Sequence, residues 1–229
     1  MEPVDDKTAV TVQTYPVKPA DPDIVLHWAD QGDAGGVLDS SGYGSHGKLY
    51  GVTWADAEGK RVMTLDGKTS YVWPLPSANM TLGPNTTMLF DLKPEGAGQL
   101  LQWGFAFQYS LTGGPPYALD YWAAGKSVRT KPILENGVWQ KLAIVVTKGK
   151  ITYYVNGKLA DEVAANTFPG NPSNHTNSTW HRHLSFFGSG SADYNPPVLA
   201  DAPGSCLKGQ VRGVTVYQRA LTAEEVGKL

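Results

Sequence analysis

Three kinds of side chain in this 229-residue sequence could do chemistry: carboxylates, histidines and aromatic rings. Glycosidic bond cleavage uses two carboxyl groups flanking the bond, about 5 Å apart in a retaining enzyme. Side chains alternate along a strand, so two acids share a face only at i and i+2. Asp56 and Glu58 have that spacing, but they sit in WADAEGK, which reads as a turn. Asp161 and Glu162 are adjacent and face opposite ways on a strand. Asp120 stands alone among aromatics in YALDYWA. No confident strand carries an acid pair, so catalysis would need carboxylates gathered from distant segments.

Histidines come next. In WHRHL, His181 and His183 lie two apart and project to one side of a strand, with His175 in the preceding loop. Three protein ligands and a water make a zinc site; a solvated or hydrogen-bonded pair is the simpler reading. The one cysteine, Cys206, excludes an intrachain disulfide and reads as a small semi-buried hydrophobe, with no activating neighbours in APGSCLKG.

Aromatics are plentiful, with 7 Trp and 11 Tyr. Trp103, Phe105, Phe107 and Tyr109 alternate along QWGFAFQYS and read as a core stripe on one strand. Tyr117, Tyr121, Trp122, Trp180 and Tyr194 fall beside Gly/Pro-rich loops or a long insertion. Sugars present apolar C–H faces that stack on such rings, while Asp, Asn, Gln and Arg hold the hydroxyls. The expected ligand-binding set is Trp180, His181, Tyr121, Trp122, Asp120 and Tyr194, where the insertion at 164–180 meets the outer face of a sheet. An irregular segment of that length in a compact domain is functional or disordered.

These residues must be positioned by strands. WQKLAIVVTKGKITYYVNGKLADE, residues 139–162, reads as three short strands joined at Lys148-Gly149-Lys150 and Asn156-Gly157. Asn-Gly tolerates positive φ at both centres of a type I′ turn. Leu142, Ile144 and Val146 share one face, and Ala143, Val145 and Thr147 the other. Both faces are largely apolar, which predicts a core on one side and a shallow groove on the other. Trp139 is expected to plug that core. Further strands are predicted at 23–29, 61–65, 70–73, 87–92, 100–110, 117–123, 127–132, 183–188 and 210–218. A Gly/Ser/Asp-rich loop is expected over 31–51. Thr222-Ala223-Glu224-Glu225 has capping-box spacing and predicts one short terminal helix. Residues 1–22 read as a linker or loosely ordered segment, and 23–229 as one domain.

Composition excludes several classes. Charged residues are 17% of the chain, with 26 Gly and 16 Pro, which favours turns over long helices. No apolar run reaches 18 residues, so no helix is predicted to insert into a membrane. A net charge of -2 without a Lys/Arg cluster argues against nucleic acid as a partner. The amino terminus lacks the regions of a signal peptide.

Four segments, in order, resemble the laminin-G-like jelly rolls of the concanavalin A-like lectin/glucanase superfamily: VLDSSGYGSHGKL (37–49), LDGKTSYVWPL (65–75), GVWQKLAIVVTKGKITYYVNGKLADE (137–162) and GQVRGVTVYQRALTAEEV (209–226). The resemblance implies an all-β fold, a two-sheet antiparallel β-sandwich, with binding on a concave face or rim loops. It implies a non-catalytic, lectin-like module that binds glycan, extracellular or at the cell surface, beside a catalytic domain of the same secreted parent. A glycoside hydrolase or polysaccharide lyase with dispersed acids, and a protein-binding adhesion module, are the alternatives. Asp39, Gly42, Gly44 and Gly47 shape the first loop. In relatives that bind calcium near this end of the fold, the resemblance implies that the aspartate matching Asp39 acts with two acids on the last strand. Arg212 and Gly213 stand in those two places here. Calcium needs hard oxygen ligands, so Asp39 is expected to be a turn-former before a metal ligand, with no cofactor required.

Overall fold

The computed structural model describes residues 21–74, 82–103, 107–123, 125–165, 184–188 and 206–229. In chain order the strands are β1 (Ile24–Gly32), β2 (Gly36–Asp39), β3 (Gly47–Tyr50), β4 (Thr53–Ala57), β5 (Lys60–Asp66), β6 (Tyr71–Pro74), β7 (Thr86–Pro94) and β8 (Gly98–Trp103). They continue as β9 (Phe107–Thr112), β10 (Tyr117–Ala123), β11 (Lys126–Leu134), β12 (Gln140–Thr147), β13 (Lys150–Val155), β14 (Lys158–Ala164), β15 (Leu184–Phe186) and β16 (Lys208–Tyr217). A single short helix, α1 (Ala223–Gly227), closes the described chain behind a capping box in which Thr222 and Glu225 satisfy each other's backbone N–H groups.

All named strand pairs are antiparallel, running β11-β10-β9-β8-β15-β6-β3-β2-β1-β16-β7-β12-β13-β14. The path folds back on itself as a two-layer jelly-roll sandwich rolled nearly into a barrel. Its ends approach: the Lys131 N–H of β11 donates to Asp161 Oδ2 of β14 at 2.7 Å. Between the layers, Leu119 and Tyr121 of β10 share one core with Ile144 of β12 and Tyr153 of β13. The opposite side of β12 carries a second, smaller cluster, where Ala143 and Val145 pack beneath Leu221 and Val226 at the helix. Alternation along β12 thus produces two apolar faces with different covers.

Two strands, β2 and β3, lie within the segment expected to be loop, and β4 takes in the start of the stretch read as a turn. They are four or five residues long and rich in Gly, Lys and Asp, so propensity gives them no signal. Partners form them instead. Gly42 (φ 91°) and Gly44 (φ 73°) do adopt the left-handed turn. Gly47 serves differently: a Cβ there would lie 2.6 Å from Val72 Cγ1 and 2.9 Å from the Trp28 ring. The single strand expected over 100–110 is two antiparallel strands, β8 ending at Trp103 and β9 beginning at Phe107, and these two residues pair. The aromatic stripe is therefore a cross-strand cluster. Trp103, Phe107 and Tyr109 are all fully buried, while Phe105 lies outside the described residues.

Trp139 does not plug the core. It precedes β12, and the alternation that points Gln140 and Leu142 inward turns Trp139 and Lys141 outward. Its half-buried ring lies against Arg212. The core plug is Trp28: it has no exposed surface, donates Nε1–H to the Ser45 carbonyl at 2.8 Å, and meets Phe186 edge-on at 5.0 Å. Trp28→Ala is expected to destabilise the domain by about 3–5 kcal/mol through the cavity it leaves. Trp139→Ala is expected to cost under about 1 kcal/mol as a surface change. Urea denaturation of both variants tests the assignment, and a larger loss for Trp139 would reverse it.

Candidate functional site

Among the described residues, a well-formed hollow lies on the outer face of β16, β7 and β12. Strand β16 is the seam that makes it. One edge pairs with β7 along its length, and the other pairs with β5 at Lys208–Val211 and with β1 at Val214–Tyr217. At the handover the register with β7 slips, Val211 facing Leu92 and Gly213 facing Asp91. Arg212 is the extra residue of that bulge, and a bulge re-aims its side chain. Gly213 belongs there because a Cβ would come within 2.9 Å of the Trp28 carbonyl on β1.

Beyond the bulge, β5 leaves the seam and rises with β4 as a hairpin turning at Glu58-Gly59. The opposite wall is the Asn156-Gly157 turn and α1. Between them lie two adjoining hollows of about 370 Å³ each, sharing Lys60, Asp91, Lys141, Gly157 and Arg212. The floor is small and apolar, from Leu89, Ala143 and Gly213, with the His27–Thr215 side-chain pair at 2.9 Å beyond it.

Polar groups converge on the floor. The Arg212 guanidinium stacks over the Trp139 ring, 3.8 Å from its centroid, and its Nη2 donates to Glu58 in an ion pair. Its Nε is buried without a partner. Burial pushes the Asp91 carboxyl above its ordinary range, against the pull of Arg212, Lys141 and Lys60, with Glu58 adding to the rise. Asn156 Oδ1 accepts from the Lys141 backbone N–H at 2.9 Å, which locks the turn to β12. A half-exposed ring, a fixed guanidinium and a carboxyl over an apolar floor can bind a small polar ligand with one apolar face.

The carboxylates weighed from sequence do not pair here. Asp56 belongs to β4, so the turn is confined to Glu58-Gly59. Asp161 accepts a backbone N–H from β11, while Glu162 pairs with Lys150 at 2.7 Å.

The expected ligand-binding residues divide. Asp120 and Trp122 share the outer face of β10, while Tyr121 points inward, buried against Tyr109 at 4.8 Å between ring centroids. Adjacent residues on a strand cannot share a face, so Tyr121 is a core residue. Trp180, His181 and Tyr194 lie outside the described residues, as do His175 and His183. Around Asp120 and Trp122 two rows cross four strands. One runs Gln102, Gln108, Trp122 and Ser127; the other runs Gln99, Ser110, Asp120 and Arg129. Asp120 pairs with Arg129 at 3.2 Å, and its other oxygen, like Gln99 Oε1, is buried without a partner.

Asp39 is a staple of the first loop. Oδ1 accepts from the His27 and Ser41 N–H groups, and Oδ2 from Ser41 Oγ and the Ser45 N–H. Protein donors fill the carboxylate's directions, so a calcium ion would have to displace them. Among the described residues no cluster of three or more His, Cys, Asp or Glu could hold a metal ion.

Comparison with known proteins adds the family. The chain belongs to the Concanavalin A-like lectin/glucanases superfamily, matching its laminin-G-type family over residues 51–227. No curated protein matches it in sequence. Among solved structures it is similar to the binding domain of Paraclostridial Mosquitocidal Protein 1, at 16% identity and a TM-score of 0.64, over 90% of this chain and 51% of that one. It is similar to domain 4 of AbnA, a GH43 extracellular arabinanase from Geobacillus stearothermophilus solved with arabinotriose, at 18% identity and 0.62, over 90% and 97%. A botulinum neurotoxin DC binding domain in complex with SialylT follows at 11% identity and 0.61, over 90% and 51%. The chain thus spans about half the length of the toxin binding domains it matches. These likenesses show the fold.

Two measurements check the site's electrostatics. A carboxyl whose pKa is raised on folding stabilises the native state most below its unfolded pKa, and that stability is lost as pH rises through the folded pKa. Asp91→Asn is therefore expected to raise the melting temperature at pH 7 and to lose that advantage as pH falls into the acid range. An Asn variant less stable than wild type at pH 7 would contradict the assignment. EDTA is expected to leave the melting temperature unchanged, whereas Asp39→Ala lowers it. A drop with EDTA that calcium restores would make Asp39 a ligand, since a native-state ligand stabilises by mass action.

Proposed function

We propose that this domain is a non-catalytic, lectin-like module that binds carbohydrate in the groove beside Trp139. The observation that supports it most is the Trp139 ring, held by Arg212 at the rim of an apolar floor and flanked by Asp91 and Lys141. The ring offers a stacking surface for a sugar's C–H face, and the charged groups suit its hydroxyls. The superfamily and the solved arabinanase domain with its bound arabinotriose lend support, as do the toxin binding domains. By the same analogy the module is extracellular and accessory to a larger glycan-processing protein. No described helix is long and apolar enough to cross a membrane.

A second reading places the sugar on the outer face of β8 to β11, next to Asp120 and Trp122. The unpartnered oxygens of Asp120 and Gln99 favour it. A third, hydrolytic reading draws on Asp91, whose raised pKa suits a general acid.

Titration calorimetry against a glycan panel separates the first two. Trp139→Ala is expected to weaken the best ligand by about tenfold, roughly 1.4 kcal/mol, while Trp122→Ala stays within about twofold. The reverse pattern moves the site to β10, and no binding by any glycan sinks the carbohydrate reading. Release of reducing ends that Asp91→Asn abolishes would make the domain an enzyme.

A further inference from the structure

We infer that the groove beside Trp139 is built for a carboxylate-bearing sugar, a hexuronate unit, and that Glu58 holds the place of its carboxylate in the free domain. The inference rests on the carbohydrate reading and narrows its ligand class.

Charge gives the first reason. The groove is lined by Lys60, Arg61, Lys141 and Arg212 against Asp30 and Asp91. Arg61 is already engaged, stacked over Trp54 and donating to the Gly32 carbonyl. Lys60 has no ion-pair partner among the described residues, whereas Lys141 is engaged by a carboxylate oxygen of the last residue, Leu229. Lys60 and the Arg212 guanidinium, which among the described residues only the exposed Glu58 holds in an ion pair, are therefore the cations an anionic ligand would meet.

Geometry gives the second. Nε–H and one Nη2–H of a guanidinium form a fork that matches the two oxygens of a carboxylate. Trp139 fixes the plane of the Arg212 fork, yet Glu58 engages only Nη2 and leaves Nε buried and unpaired. A buried donor without an acceptor is costly, and a bidentate carboxylate would satisfy both positions. Glu58 is tethered at the hairpin turn with φ 51°. Its side chain is 67% exposed against 15% for Arg212. An exposed acid on a fixed guanidinium is a weak competitor that an incoming carboxylate can displace. Asp91, on the floor beside the bulge, is left to accept sugar hydroxyls.

The test titrates trigalacturonate and neutral galactotriose into the whole protein. At low ionic strength the uronate is expected to bind about tenfold tighter, an advantage that shrinks as added salt screens the charges. Removing an exposed competing acid is worth a small factor, so Glu58→Gln is expected to raise the uronate-to-neutral affinity ratio by about two- to fivefold. Arg212→Lys keeps the charge but not the fork and is expected to lose most of the preference. Circular dichroism confirms that each variant is folded. An unchanged or lowered ratio in Glu58→Gln overturns the inference, as does a preference that survives in Arg212→Lys. If neutral glycans bind through Trp139 and uronates show no advantage, the carbohydrate reading stands and this one falls. If nothing in the panel binds, both fall.

Discussion

The structure depends on β16 serving two neighbours along one edge. Its first residues pair with β5 and its last with β1, while β7 runs along the other side throughout. Two strands cannot occupy one edge at the same height, so one must leave where the other arrives. The chain resolves this with one extra residue, Arg212, and one missing side chain, Gly213, at the handover. The same defect frees β5 to rise with β4 as a wall, points a guanidinium outward and thins the floor. The groove is thus a consequence of how the sheet is assembled.

The groove's chemistry follows from competition among neighbours. Arg212 is held by an aromatic face and an exposed acid, so its charge is fixed in place without being neutralised in a buried pair. Asp91 lies next to it yet carries a raised pKa, because burial outweighs three nearby cations. The outer face of β8 to β11 has a different character. There glutamines, Ser110 and the Asp120–Arg129 pair spread over a broad surface with Trp122 among them. One surface is compact and charged, the other extended and polar.

Much of the fold was legible because it is written in local terms. The triplet β12 to β14, its Asn156-Gly157 turn and the capping box at Thr222 all appear where alternation and turn chemistry place them. The groove on the second face of β12 was legible too, since Ala143 and Val145 are apolar on the side that β12 does not turn to the core. The departure at Arg212 was visible as an arginine where acids were expected, although its meaning was not. Strands β2 to β4 were hidden because their residues favour turns and only their partners make them strands. The hairpin at β8 and β9 was hidden because an unbroken aromatic alternation continues across it.

Sequence alone determined the class of fold, the strands with their own propensity and the alternation that assigns each residue a face. That alternation already separates Tyr121 from Trp122 before any partner is known. Tertiary structure decided which face meets which layer. It sent Trp28 to the core and left Trp139, just ahead of its strand, on the rim. It also brought Glu58, Asp91, Trp139 and Arg212 together from four distant segments. Periodicity is a local property, readable along one strand, whereas a site made where β5 yields to β1 exists only once the sheet has closed around its seam.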